Sequence, residues 1–440
     1  MDIFDEDESA WSLGRAAHPL LSLAVALLYG LYMLSYPPRY RKLSICLLAL
    51  PLSYAFRHHL DATPWYNLSD TFGRFLYIWF FHMSNVIAIL EHAPTPVKDS
   101  LSLRERVSQA YAVLFCIRLE TPAQRRQNAA HSYSRLGFLL YHAARAGAYY
   151  GMMQAWEFYT AHWSMAVAQY VYTASRVGPV FVYLDASLAL FHRLEIFVEW
   201  NVIMLYMYEA IYSGFAALLV GVLALDEPQD WRLALCGPLS EAWNVRRYWG
   251  KHWHSYVYLS FTAHTKVVTR GWCGMKRGRL ETRIVENTMV FALSGMAHSA
   301  VRWAQDPVGD YWAIALWYVG QMVPILLEGV IQELWRRVKM GLGIKPDDRR
   351  MNAVERMVGY AWMMAWFMWS IPEYARWRVK WSKAKMWKLY GPIWAQEFRQ
   401  RDEAQALRLQ LANVTMSGAE PTCSLIRPDL GWQGIETSVQ

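Results

Sequence analysis

The first feature with chemical potential is one imidazole inside an apolar run. Residues 284–303, IVENTMVFALSGMAHSAVRW, form a 20-residue stretch long enough to cross a hydrocarbon core as a helix. His298 lies inside it, out of snorkelling reach of either end. At helical spacing Asn287, Ser294, His298 and Arg302 fall on one stripe, opposite Val290, Leu293, Ala297 and Val301. A polar stripe is expensive against lipid, so it is expected to face a bundle interior or a wet cavity. Histidine is the side chain that exchanges a proton near neutral pH. A packing histidine bonded to a neighbouring carbonyl fits the stripe equally well, and spacing alone leaves both readings open.

A second concentration of unusual residues lies about forty positions earlier: Tyr248-Trp249-Gly250-Lys251-His252-Trp253-His254, preceded by Arg246 and Arg247. The cations suit either the phosphates of an anionic cofactor or an anionic lipid face. His252 and His254 are two positions apart and do not share a helical face, which argues against a paired-histidine metal site. The GxxxxGK[ST], GxSxG, HExxH and HxxxxD patterns are all absent from the chain. Phosphate-loop, serine-hydrolase, zinc-peptidase and soluble-face glycerolipid acyltransferase readings are therefore set aside.

The elements that must position these residues are membrane helices. Of 440 residues, 55% are hydrophobic and 15% aromatic, with 23 Trp and 27 Tyr, rings that collect at bilayer interfaces. The net charge of +8 lies beside the apolar runs instead of forming a separate basic domain, so the expected partner is the lipid bilayer, not nucleic acid. Cys46, Cys116, Cys236, Cys273 and Cys423 are scattered and imply neither a disulfide framework nor a metal site.

The first apolar run, 19–36, is preceded by acids (Asp2, Asp5, Glu6, Asp7, Glu8) and followed by Arg39, Arg41 and Lys42. It reads as a retained span with a lumenal N-terminus. Run 43–56 returns the chain to the lumen, where Asn67-Leu68-Ser69 offers a glycosylation site at Asn67. Run 71–90 follows, and then three candidates near 136–160, 162–190 and 194–225, one of them expected to be re-entrant or interfacial. Glu199 and Glu209 lie within the last of these, either lining a pathway or, the commoner use, paired with Arg or His. Residues 240–283 are aromatic and strongly basic, and are expected to lie as an amphipathic stretch on the cytosolic surface. Further spans are expected near 311–334 and 354–371. Charge alone leaves the side of the C-terminus open, because 376–388 is also basic and only a glycan on Asn413 would place it in the lumen. The expectation is an all-α, polytopic membrane bundle of about eight spans with an interfacial segment. Residues 1–18 form an acidic tail, 19–375 the membrane domain with the signature at 240–303, and 376–440 a basic segment and polar tail.

Trp249-Gly250-Lys251-His252-Trp253-His254 followed by Phe291-Ala292-Leu293-Ser294-Gly295-Met296-Ala297-His298 resembles the wax synthase branch of the membrane-bound O-acyltransferases (MBOAT). That branch carries an [FY]WG-basic-basic-W-[NH] signature and then a helix reading FxxSGxxH. The flavour is that of fungal acetyltransferases acting on terpenoid and meroterpenoid intermediates. The resemblance implies transfer of acetyl from acetyl-CoA to a hydroxyl of a hydrophobic alcohol, inside an intramembrane tunnel and without a metal, in the endoplasmic reticulum. It makes His298 the general base and His254 its assistant. Trp249, Trp253, Arg246, Arg247 and Lys251 would stand at the coenzyme, and Asn287, Ser294 and Arg302 along the tunnel. Many plant members place a glutamate directly after the histidine, where this chain has Ser299.

The chemistry is sensible, since an alcohol attacks a thioester poorly until a base takes its proton. A water-poor site also limits hydrolysis of the thioester. A long-chain donor with a fatty alcohol or sterol acceptor is the nearest alternative. A transporter moving protons through its buried His and Glu is a second, opposed by the lack of internal repeats.

Overall fold

The computed structural model describes residues 11–95, 102–129 except 117 and 119, 131–162, 186–253, 258–305, 311–345, 348–372 and 374. Residues 1–10 of the acidic tail, His254, Asn413 and the segment 376–440 lie outside them. The described residues are helices joined by turns: α1 Leu13–Ser35, α2 Arg41–Arg57, α3 Tyr66–Ser84, α4 Leu103–Leu114, α5 Pro122–Ala129, α6 Arg135–His162, α7 Ala186–Val198, α8 Met204–Ala216, α9 Val245–Arg247, α10 Tyr258–Lys266, α11 Leu280–Gln305, α12 Trp312–Gly320 and α13 Met322–Gly341. A last helix, α14, covers 349–372. Four helical stretches among these residues are long and apolar enough to cross a bilayer: Leu13–Ser35, Asn67–Ile89, Arg193–Val222 and Trp312–Gly341. The first starts earlier than hydropathy predicts, because the Ser12 side chain caps it by accepting from the Arg15 amide, satisfying a donor that a helix start leaves open.

Two cores hold the bundle. The first joins α1 to α4 through Leu34, Leu48, Leu76, Trp79 and Met83, and the Trp79 indole N–H donates to the Leu114 carbonyl at 2.9 Å. The second gathers α8, the signature, α12, α13 and α14 around Trp200, Tyr248, Trp253, Tyr318 and Phe367.

Helix ends inside such a bundle expose carbonyls that lipid cannot satisfy. Arginines from other helices supply the donors. Arg41 donates to the carbonyls of Ile87 and His92, both at 3.1 Å. Arg57 donates to that of Ala304 near the end of α11, and Arg135 to Asp226 at 3.0 Å. A cation at a helix C-terminus is also favoured by the dipole.

Residues 240–283 depart from the expected surface-lying arrangement. Tyr248 is 2% exposed, Trp253 3% and Phe261 1%, and Phe261 packs edge-on against Phe81 and Tyr77 of α3. The basic residues dominate the linear pattern but occupy other faces. The segment threads between helices, and Arg270 clamps it to α11 with bonds of 2.7 and 2.9 Å to Glu286. Such bidentate geometry is the strong form of this contact.

Candidate active site

His298 lies in the C-terminal half of α11, half-buried. Its Nε2 is 2.8 Å from the Tyr318 hydroxyl, and the two rings stack with centroids 4.5 Å and planes 14° apart. Tyr374 meets the imidazole edge-on at 6.4 Å. Tyr318 belongs to α12, which crosses α11 closely at Gly295. A Cβ there would stand 2.8 Å from the Ala315 carbonyl oxygen and 3.0 Å from the Tyr318 Cβ. The glycine of the SG pair is thus the notch that lets α12 bring Tyr318 onto the imidazole. Ser299 turns away and donates to the Tyr311 carbonyl at 2.8 Å.

The signature is held by two buried carboxylates. Glu328 on α13 accepts from the amides of Val245 and Arg246, at 2.7 and 3.1 Å, and from the Trp362 indole at 3.0 Å. With the Asn244 side chain accepting from the Arg247 amide, it satisfies the donors that begin this helix. Glu209 accepts from Arg145 at 3.0 Å and from the amides of Leu235 and Cys236 at 3.1 and 2.8 Å. The expected pairing of Glu209 with a cation is therefore observed, whereas Glu199 is exposed and accepts from the neutral Trp156 indole. Glu328→Ala would leave two backbone donors and one indole without partners at about 1–3 kcal/mol each. We expect a large loss of folded protein in detergent, measured by thermal unfolding.

From α9 the chain enters a π-helical turn, Tyr248–Trp253. Its wider spacing sets Tyr248 and Trp253 on one side, where their rings stack at 5.7 Å and 17° and both lie against Trp200. His252 Nδ1 donates to the Gly237 carbonyl at 2.6 Å, and the Gly237 amide returns to the His252 carbonyl at 2.9 Å. Trp249 points the other way. Its ring lies 5.7 Å from Phe291 and 6.0 Å from Tyr318, and its N–H reaches the Gln321 side chain at 3.4 Å. Trp249 and His298 thus meet at Tyr318.

The remaining residues singled out in sequence lie around this centre or outside it. Arg302, one turn beyond His298, donates to Gln305 at 2.9 Å and pairs with Asp70 at 3.5 Å. Gln305 reaches His59 at 2.8 Å, and Asp70 also binds Arg74, which donates to Tyr208 at 2.6 Å. His59, Asp70, Arg74, Arg302 and Gln305 are buried, whereas Tyr208 is half-buried. Ser294 is half-buried one turn before His298, and Asn287 stands about 16 Å away along the helix axis. Arg246 and Lys251 are exposed, while Arg247 is paired with Glu241 and lies 4.9 Å over the Trp243 ring. Asn67 is exposed in the first turn of α3, although Ser69 of its sequon is fully buried. Burial pushes the Cys236 thiol up to about 12, with Glu209 adding to the effect, so no thiolate nucleophile arises there. Tyr318, Gln321, Glu328 and the Asp70–Arg74 pair were not legible as site residues; only Glu328, an acid in an apolar run, gave a signal.

Residues 231–319 match the membrane bound O-acyl transferase family. The matched segment is the part of the chain similar to that family. It contains the carboxylate-anchored loop, the WG-KHW turn, all of α11 and the Tyr318 contact, so the family's segment coincides with the site described above. Acetyltransferases are among the proteins similar to the chain: nanB of Aspergillus nanangensis is 28% identical over 220 residues, covering 48% of this chain and 50% of that protein. For atnC of Arthrinium sp the identity is 26% over 187 residues, 40% and 39% of the two chains. For aurG of Calcarisporium arbuscula it is 25% over 206 residues, 45% and 46%. The chain thus spans about half or less of the length of the curated relatives it matches. No solved structure matches it.

Proposed function

We propose that the protein is a membrane-embedded O-acyltransferase that moves acetyl from acetyl-CoA to a hydroxyl of a hydrophobic, terpenoid-like alcohol in secondary metabolism. The observation that supports it most is convergence: the signature's Trp249 and the motif's His298 both contact Tyr318, although forty-nine positions separate them in sequence. In this reading His298 takes the proton of the alcohol as its oxygen attacks the thioester carbonyl. The carbonyl reforms as the C–S bond breaks, and the thiolate leaves with the proton from the imidazolium. The products are the acetate ester and coenzyme A. His254, immediately after the π turn, assists. Arg246 and Lys251 meet the coenzyme's phosphates from the exposed side, with Trp249 leading toward Tyr318; Arg247, paired with Glu241, and Trp253, buried on Trp200, hold the turn. Asn287, Ser294 and Arg302 follow the tunnel. The protein works in the endoplasmic reticulum, with Asn67 lumenal.

Microsomes carrying the chain should transfer label from acetyl-CoA to a polycyclic terpenoid alcohol, and palmitoyl-CoA should be a poor donor. Preferential use of palmitoyl-CoA would move the assignment to wax or sterol ester synthesis. Transport of solute into proteoliposomes with no transfer from either donor would replace the enzyme reading altogether.

A further inference from the structure

We infer that Tyr318 is the positioning residue for His298, supplying from the neighbouring helix what an adjacent carboxylate would otherwise supply. The inference rests on the acyl-transfer reading and adds a residue to it. Three constraints converge on this side chain. Gly295 admits the α12 backbone, Trp249 packs on the phenol ring, and the ring is stacked beneath the imidazole with its hydroxyl 2.8 Å from Nε2. Tyr318 is 2% exposed, so its hydroxyl is held by the fold and not by solvent.

A phenol can meet either protonation state of the ring. Once the imidazole has taken the alcohol's proton, both of its nitrogens carry hydrogen and neither can accept. Nε2–H must then donate to the Tyr318 oxygen, as it already must when Nδ1 is the free base. A bond to a charged donor is stronger than the neutral one it replaces. The contact therefore favours the state in which charge has developed, which raises kcat more than it lowers KM. Ser299, occupied by the Tyr311 carbonyl, is the position from which no such help comes.

Tyr318→Phe keeps the stack and the fit against Gly295 while removing the hydroxyl. It should lower kcat about 10- to 100-fold, the rate equivalent of a hydrogen bond to a charged group, with KM for both substrates changed less than about threefold. In a His298→Ala background it should cost nothing further, because the two residues act as one unit. A purely structural role would cost activity in both backgrounds. Activity of Tyr318→Phe within twofold of the parent, or losses that multiply in the double variant, would overturn the inference. Full activity in His298→Ala alone would instead overturn the acyl-transfer site on which it rests. Should the phenylalanine variant not accumulate, 3,5-difluorotyrosine at 318, a weaker acceptor of nearly the same shape, must lower kcat; an unchanged kcat counts against the inference.

Discussion

His298→Ala should lower acetyl transfer by about 10²- to 10⁴-fold, the usual contribution of a positioned base, while the protein accumulates in membranes to its normal level. The imidazole is only half-buried, so truncating it removes chemistry without opening a sealed core. Its Nε2 bonds to the Tyr318 phenol, and Tyr318 keeps Trp249, Trp317 and Tyr374 as ring neighbours. Unfolding temperature measured beside the transfer rate separates the two effects. A collapse of both together would mean that the ring is a packing element.

The second large effect is on folding. Gly237 and Gly359 are the positions where the signature is closed from either end. A Cβ on Gly237 would overlap the Lys251 carbonyl oxygen, and one on Gly359 would overlap that of Trp243. Backbone cannot swing aside as a side-chain tip can. Gly237→Ala would also break the reciprocal pair with His252. We expect each alanine to cost about 3 kcal/mol or more, the upper range of overpacking, and that is a large share of a domain's stability. Monodisperse protein should fall sharply for both. Gly147→Ala in α6, where nothing lies within 4 Å of an added Cβ, should be neutral or slightly stabilising.

A polar group in an apolar helix is costly against lipid. Of the predicted stripe Arg302 is buried while Asn287, Ser294 and His298 are half-buried, and Ala297 and Val301 on the apolar face are buried as well. The pairing of Glu209 followed from the same cost. What periodicity does not report is which neighbour answers a face. Tyr318 sits in an apolar, aromatic run, IALWYVGQ, where every position resembles its neighbours. Gly295 becomes meaningful only once α12 is known to cross there. The segment 240–283 was misread for a related reason: its charges are conspicuous in linear order, while the rings that bury it, Tyr248, Trp253 and Phe261, are spaced irregularly by π turns. The buried ion cluster joins Asp70 and Arg74 to Arg302 across more than two hundred residues, a pairing that one sequence cannot disclose.

The most direct measurement is a structure of the protein with acetonyl-CoA, whose methylene between carbonyl and sulfur prevents cleavage. The ketone carbonyl should lie beside the His298 imidazole, the pantetheine should pass Trp249, and the phosphates should sit at the Arg246 and Lys251 surface. A coenzyme seated elsewhere, with its carbonyl separated from His298 by intact protein, would contradict it.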